Sequence, residues 1–242
     1  MKTTFKDKCK NLVSKGKQNI IVLLALVVLV LIFTLLNKNF VDKYNIISMT
    51  QSLAPYAILA LGVTFVIATG GIDLSIGTVC IASAVVAGKL FMSGMPLWAT
   101  IPVMIAIGTT FGLINGLLVA KLKIPAFIAT LGTMMFSRGL SAIIVSVPNI
   151  FFPSGTWFNA AFSNANGIPT GFFWVIGFTL LCAYLMYKNV IGRYILSIGS
   201  NEEATRLSGI NTDKYKIIAY VIAGMAAGIA AIFWASSFTT VA

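Results

Sequence analysis

The sequence predicts an all-α, polytopic transmembrane helix bundle, and three observations lead there. Hydrophobic residues fill 58% of its 242 positions and charged residues only 10%, too apolar for a soluble domain of this size to hide in one core. About seven apolar stretches approach the ~20 residues that a helix needs to cross a hydrocarbon slab ~30 Å thick. Basic residues, which give a formal net charge of +11, gather between alternate stretches, as they do in the cytosolic loops of membrane proteins. The expected spans cover residues 20–36, 54–69, 74–92, 98–120, 127–147, 171–187 and 217–236.

The chain opens with a cytosolic basic arm, residues 1–19, carrying Lys2, Lys6, Lys8, Lys10, Lys15 and Lys17. It resembles the basic start of a signal peptide, but residues 36–40 offer no small-residue cleavage site, so the first span reads as an uncleaved anchor. Lysines beside a membrane set topology, although they also suit anionic lipid. Alternation of spans then places Lys121, Lys123, Lys188, Arg193, Arg206, Lys214 and Lys216 on the side of the arm. The uncharged loop 148–170 falls on the other side. This positive-inside pattern predicts a cytosolic N-terminus and puts Ala242 outside.

Between the second and third spans the hydrophobic run breaks at Gly70-Gly71-Ile72-Asp73-Leu74-Ser75. Paired glycines permit the backbone angles that end a helix, and Asp73 can cap the next one by accepting N–H bonds from its first turn. Two readings stay open. The segment is a tight cytosolic turn with an N-cap aspartate, or it is a break at membrane depth whose unpaired backbone faces protein or a wet cavity. In the second reading Gly70, Gly71, Asp73 and Ser75 border a transport path. Lys89, near the end of the third span, reaches for the interface.

The fourth and fifth spans contribute Asn115-Gly116, then Pro125 at a helix start, where its missing N–H costs nothing. Thr130, Gly132, Ser137 and Gly139 are small enough to let neighbouring helices approach closely. Arg138 lies about a dozen residues into its span, too deep for easy snorkelling. An intramembrane charge is a functional candidate by default; Arg138 contacts cargo, or it binds carbonyls or an acidic partner. Asn115, Thr130 and Arg138 therefore join the candidate path. The outer loop holds Phe151, Phe152, Trp157, Phe158 and Phe162 among Gly, Ser, Asn and Pro, which fits an interfacial belt or a surface that stacks on a sugar-carrying partner.

The polar segment 200–211 precedes the seventh span. Ser200 followed by Glu203 has capping-box spacing, and Gly209 suits the left-handed position after a helix end. Two turns of helix fit between them. Glu202 and Arg206 stand four apart in the favourable acid-before-base order, while Ala204 and Leu207 share another face. This is a docking surface for a cytosolic partner, or a solvated connector held by its own caps.

Several classes are excluded. There is no histidine, so the usual zinc and general-base arrangements are absent. Cys9, Cys80 and Cys182 form no disulfide or metal spacing. Asp73 is the lone acid deep among the spans, where an intramembrane aspartyl protease needs a pair. No phosphate loop occurs; if ATP is used, another chain binds it.

The order of Gly71-Ile72-Asp73-Leu74-Ser75-Ile76-Gly77, Asn115-Gly116-Leu117, Pro125-Ala126-Phe127-Ile128-Ala129-Thr130-Leu131-Gly132, Arg138-Gly139, Gly192-Arg193-Tyr194-Ile195 and the 201–211 segment resembles the permease subunits of bacterial ABC importers. Within them it is similar to the ribose-type sugar group, which also serves arabinose, xylose, galactosides and autoinducer sugars. The resemblance runs from about residue 20, and its most specific part is 204–211.

That resemblance implies a permease domain at 20–242, with a coupling loop at about 188–216 whose Glu202, Glu203, Ala204, Arg206, Leu207 and Gly209 seat in a groove of an ATP-binding subunit. ATP and Mg would sit on that partner, and this chain would hold no cofactor or metal and bind no nucleic acid. A periplasmic or lipid-anchored binding protein would deliver a monosaccharide, ribose first among the candidates, to a homodimer in the bacterial inner membrane. Family members continue past position 242, so the chain is expected to be a fragment or a truncated product lacking most of a second repeat. The competing classes are an ion-coupled secondary transporter built on the Gly70–Asp73 break and a non-transporting scaffold.

Overall fold

The computed structural model describes the backbone of residues 5–145, 150–237 and 240–241, and the side chains of 20–145 and 152–237. The lysines of the basic arm, Cys9, Phe151, the last two positions of the expected 127–147 span and Ala242 lie outside the described side chains. Most of the described backbone is helical: α1 (Phe5–Leu36), α2 (Lys43–Ala68), α3 (Ile76–Met92), α4 (Leu97–Ala120), α5 (Ala126–Ile144), α6 (Trp157–Phe162), α7 (Thr170–Tyr187), α8 (Val190–Ser200), α9 (Glu202–Leu207) and α10 (Thr212–Ser237). Two two-residue strands, Ile150–Phe151 and Thr240–Val241, pair antiparallel. A helical membrane bundle is thus what the chain forms. Helices α2, α4, α5, α7 and α10 are long and apolar enough to cross a membrane; Ile20–Leu36, Ile76–Met92 and Val190–Ser200 are shorter apolar helices.

The chain divides into two compact units, 1–48 and 49–242. In the first, α1 runs through the arm from Phe5 and ends at Asn37, whose side chain accepts from Asn39 N and starts a 3-10 turn, Lys38–Val41. Phe33 stacks on Phe40 at 5.5 Å, and Asn45 Nδ2 donates to Phe40 O at 2.7 Å, folding the turn back on itself.

In the second unit α10 is the central element. Ala219, Ala223, Ala226, Ala227, Ala230 and Ala231 are all fully buried. Small side chains let backbones meet where lipid supplies no hydrophobic drive between helices. The closest approach is to α4: a Cβ on Gly108 would strike Gly224 O, one on Gly112 would strike Tyr220 O, and one on Gly228 would lie 2.6 Å from Ile105 Cα. Close helix approach was expected instead around Gly132 and Gly139 of α5. A Cβ on either meets nothing within 4 Å, so within this chain those two glycines face open space.

The aromatic residues between α5 and α7 cap the same core rather than presenting their rings. Phe152 and Phe158 are buried, and Phe91, Phe152, Phe158, Phe162 and Phe233 form a continuous run of ring contacts at 5.5–6.2 Å. Trp157 remains half exposed at the edge of that run. Asn159 Nδ2 donates to Ser236 O at 2.7 Å, which ties α6 to the end of α10.

Candidate functional site

The break after α2 folds by pairing its own backbone. Thr69 N donates to Val66 O, Gly70 N to Ile67 O and Gly71 N to Val66 O at 2.9–3.1 Å, and Gly70 takes the left-handed φ of 78° that closes the turn. Two residues on, the Ile72 carbonyl would be left without a partner; Tyr220 of α10 reaches across and donates its hydroxyl to it at 3.1 Å. Asp73 Oδ1 then accepts from Ser75 N at 2.8 Å and from Ser75 Oγ at 2.7 Å, just before the first residue of α3.

From Asp73 a hydrogen-bond relay runs through three segments. Asn115 Nδ2 of α4 donates to Ser75 Oγ at 2.8 Å, and Thr133 Oγ1 of α5 donates to Asn115 Oδ1 at 2.6 Å. Each group uses donor and acceptor in one consistent direction, from Thr133 to the Asp73 carboxylate. Asn115 is 1% exposed, so the relay is sealed between helices. A second link joins the same helices, with Ser137 Oγ donating to Thr78 Oγ1 at 2.8 Å and Thr78 Oγ1 to Ser75 O at 2.9 Å. Asn115 stands five residues before the end of α4 and Thr133 seven after the start of α5, roughly 7–10 Å inside each helix at ~1.5 Å per residue.

Of the residues expected to border a path, Asp73, Ser75 and Asn115 come together in this relay, and Gly71 packs beneath Tyr220. Gly70 is exposed at the turn. Thr130 is buried with its hydroxyl returned to Ala126 O of its own helix, outside the relay; Thr133, one turn on, takes the place it was expected to hold. Arg138 stands apart from both. With Thr78 and Ser141 it lines a cleft of about 580 Å³ between α3 and α5, whose other walls are Leu74, Gly77, Ile81, Ala142 and Val145. No acidic side chain among the described residues pairs with it.

At the other candidate site α8 and α9 meet in a sharp corner. Ile195 and Ile198 of α8 are buried, and Gly199 sits so close to Ala68 O that a Cβ there would collide with it. The expected capping box at Ser200 does not form. Helix α8 runs through Ser200, and the next residue, Asn201, caps α9 by accepting from Ala204 N at 2.9 Å. Helix α9 ends at Gly209 with φ 83°, as its position required. Thr205 faces inward, while Leu207 is 84% exposed beside exposed Glu203 and Ala204.

The inner side of α9 is pinned by charge. Glu202 pairs with Arg206 at 3.3 Å and with Lys216 at 2.6 Å; Asp213, in the first turn of α10, pairs with Lys123 at 2.6 Å, Lys121 at 3.6 Å and Arg206 at 3.9 Å. Burial would raise the Glu202 carboxyl, but the hydrogen bond from Lys216 and the charges of Lys216, Arg206 and Lys123 outweigh it and hold the group below the usual carboxylate range. The Glu202–Arg206 pair was readable from i,i+4 spacing. The Asp213 pairs were not, since Lys123 and Asp213 lie 90 positions apart.

The described residues thus form a helical membrane bundle with a hydrogen-bond relay buried among α3, α4 and α5. The family model described as "Branched-chain amino acid transport system / permease component" matches residues 45–242. A ribose import permease protein of Haemophilus influenzae is 34% identical over 90% of this chain and 68% of its own length. One from Escherichia coli K12 is 37% identical over 87% of this chain and 67% of its own. A fructose import permease protein of Bifidobacterium longum is 33% identical over 89% and 64%. The chain thus spans about two thirds of the length of these relatives, and no solved structure matches it. It belongs to the ribose-type family of ABC importer permeases, membrane-spanning transport subunits rather than enzymes.

Proposed function

We propose that this chain builds part of the translocation path of an ATP-driven sugar importer, with ribose or a related monosaccharide as cargo. The observation that carries the proposal is α9: pinned by ion pairs on one side, it projects Glu203, Ala204 and Leu207 outward on the other. A short helix held this way suits the groove of an ATP-binding subunit, where ATP and Mg would reside. The basic residues around it support a cytosolic position for this end. A binding protein then delivers sugar at the opposite face, and a second permease copy completes the path. Arg138, Thr78 and Ser141 offer donors and hydroxyls to a neutral, hydroxyl-rich cargo, while Asp73, Ser75 and Asn115 fix the wall behind them.

The test is uptake of radiolabelled ribose by cells carrying Glu203→Lys with Leu207→Asp. Normal membrane insertion with uptake reduced at least tenfold is the expected result. Uptake that is unchanged and follows an ion gradient instead of ATP supply identifies a secondary transporter and contradicts the proposal.

A further inference from the structure

We propose that Lys123 is a positioning residue that hands the movement of α9 to α5, with Asp213 as the joint between them. The inference rests on the importer reading above and extends it to a route inside the chain. Asp213 is the point where three segments meet: α9 through Arg206 at 3.9 Å, the α4–α5 loop through Lys123 at 2.6 Å and Lys121 at 3.6 Å, and α10 through its own backbone. Arg206 also donates to Thr212 Oγ1 at 3.2 Å, so α9 bears on the first two residues of α10 at once.

The backbone at Lys123 is itself held in an uncommon conformation. Its φ is 57°, a left-handed value that few residues other than glycine adopt and that persists where surroundings fix it. On one side Leu122 N donates to Leu117 O at 3.2 Å and Ile124 N to Leu118 O at 3.1 Å, wrapping the loop against the end of α4. On the other side Pro125 leads directly into α5. No slack segment separates Lys123 from α5, so a displacement of Asp213 is passed on to the helix. Helix α5 in turn carries Thr133, the start of the buried relay, and Arg138, in the α3–α5 cleft. Push on α9 thereby reaches the cleft through two ion pairs, Arg206–Asp213 and Asp213–Lys123, and a rigid corner.

Three variants separate charge from backbone. Lys123→Gly keeps the left-handed conformation accessible and removes the ammonium; Lys123→Arg keeps the charge; Asp213→Asn removes the carboxylate at which Arg206 and Lys123 meet. Each is compared with wild type in membranes from the protein's own host, with its partner subunits present. ATP-dependent ribose uptake and ATP hydrolysis with and without added sugar are both recorded.

The expected result is that Lys123→Gly inserts normally and keeps basal hydrolysis, but loses at least fivefold in uptake and in the sugar-dependent rise of hydrolysis. Lys123→Arg recovers at least half of both, and Asp213→Asn loses as much as Lys123→Gly. Wild-type coupling in Lys123→Gly overturns this proposal alone, as does wild-type coupling in Asp213→Asn. Absence of ATP-driven uptake in wild type overturns the importer reading and this route with it.

Discussion

Asn115 is the residue on which the buried relay turns, because it is the one member that bonds across to two other segments. Replacing it with Ala removes both cross-helix bonds, leaving Ser75 Oγ on Asp73 and Thr133 Oγ1 on Ala129 O of its own helix. Interhelical hydrogen bonds in membranes average ~0.6 kcal/mol and reach ~1.7, so Asn115→Ala should cost about 1–2 kcal/mol, read from the midpoint of unfolding in denaturing detergent. Thr130→Val, which removes a hydroxyl bonded within its own helix, should cost less than half as much. Glu202 gives a pH signature. Its folded carboxyl is held below the ordinary value, so the unfolded chain binds more protons in that interval and stability rises with pH. The contribution is complete above the ordinary carboxylate value and is lost as pH falls through the depressed folded one. Glu202→Gln should flatten that acid limb; an unchanged limb would show that the Lys216 pair is not formed in solution.

The same residues show what a sequence reveals at this scale and what it hides. Gly209 as a left-handed stop was legible because it depends on neighbours within a few positions; Asp73 was expected to cap α3, but Ser75 is the residue before that helix and Asp73 bonds Ser75 instead. Ser200 misled for the same reason: its spacing to Glu203 is right, but α8 continues through it, and a residue inside a helix cannot also be the cap before the next. Thr133, Tyr220 and Lys123 were missed because their partners are 18, 148 and 90 positions away, and no local pattern encodes such distances.

Among elements, α4 and α10 make the most extensive contact of the second unit, and glycine permits it. At Gly112 a new Cβ meets the Tyr220 carbonyl and lies 2.9 Å from Gly224 Cα. Overpacking of this kind costs about 1–3 kcal/mol and sometimes more. Gly112→Val should therefore lower the thermal midpoint sharply. Gly139→Ala, with open space around it, should be neutral or gain up to about 1 kcal/mol from helix propensity. Equal effects at both positions would refute the α4–α10 crossing. A Gly139→Leu chain that folds but no longer pairs with a second copy would place that second copy on α5.

The spans themselves were legible because ~20 apolar residues in a row have few other uses. Helix α8 was not recognised as a helix of its own: at 11 residues, with Arg193 and two serines, it falls below that length.

At the scale of the whole molecule, the bundle joins two polar features at different depths. The sealed relay holds α3, α4 and α5 together from Asp73 to Thr133, and the ion pairs at the basic end hold α9, α10 and the α4–α5 loop. Helix α5 belongs to both, and so it connects the exposed α9 with the Arg138 cleft. The irregular backbone between α2 and α3 is satisfied within the chain by Tyr220 and the turn bonds.

The central claim is that α9 is the seat of an ATP-binding subunit. The most direct measurement places a photoreactive amino acid at Leu207, irradiates intact host membranes and identifies the adduct by mass spectrometry, with Ile143 as a control position. An adduct with an ATP-binding subunit, whose yield changes with nucleotide and which is absent at Ile143, is the predicted result. Adducts of Leu207 with lipid alone, or with the same proteins as Ile143, would contradict the account.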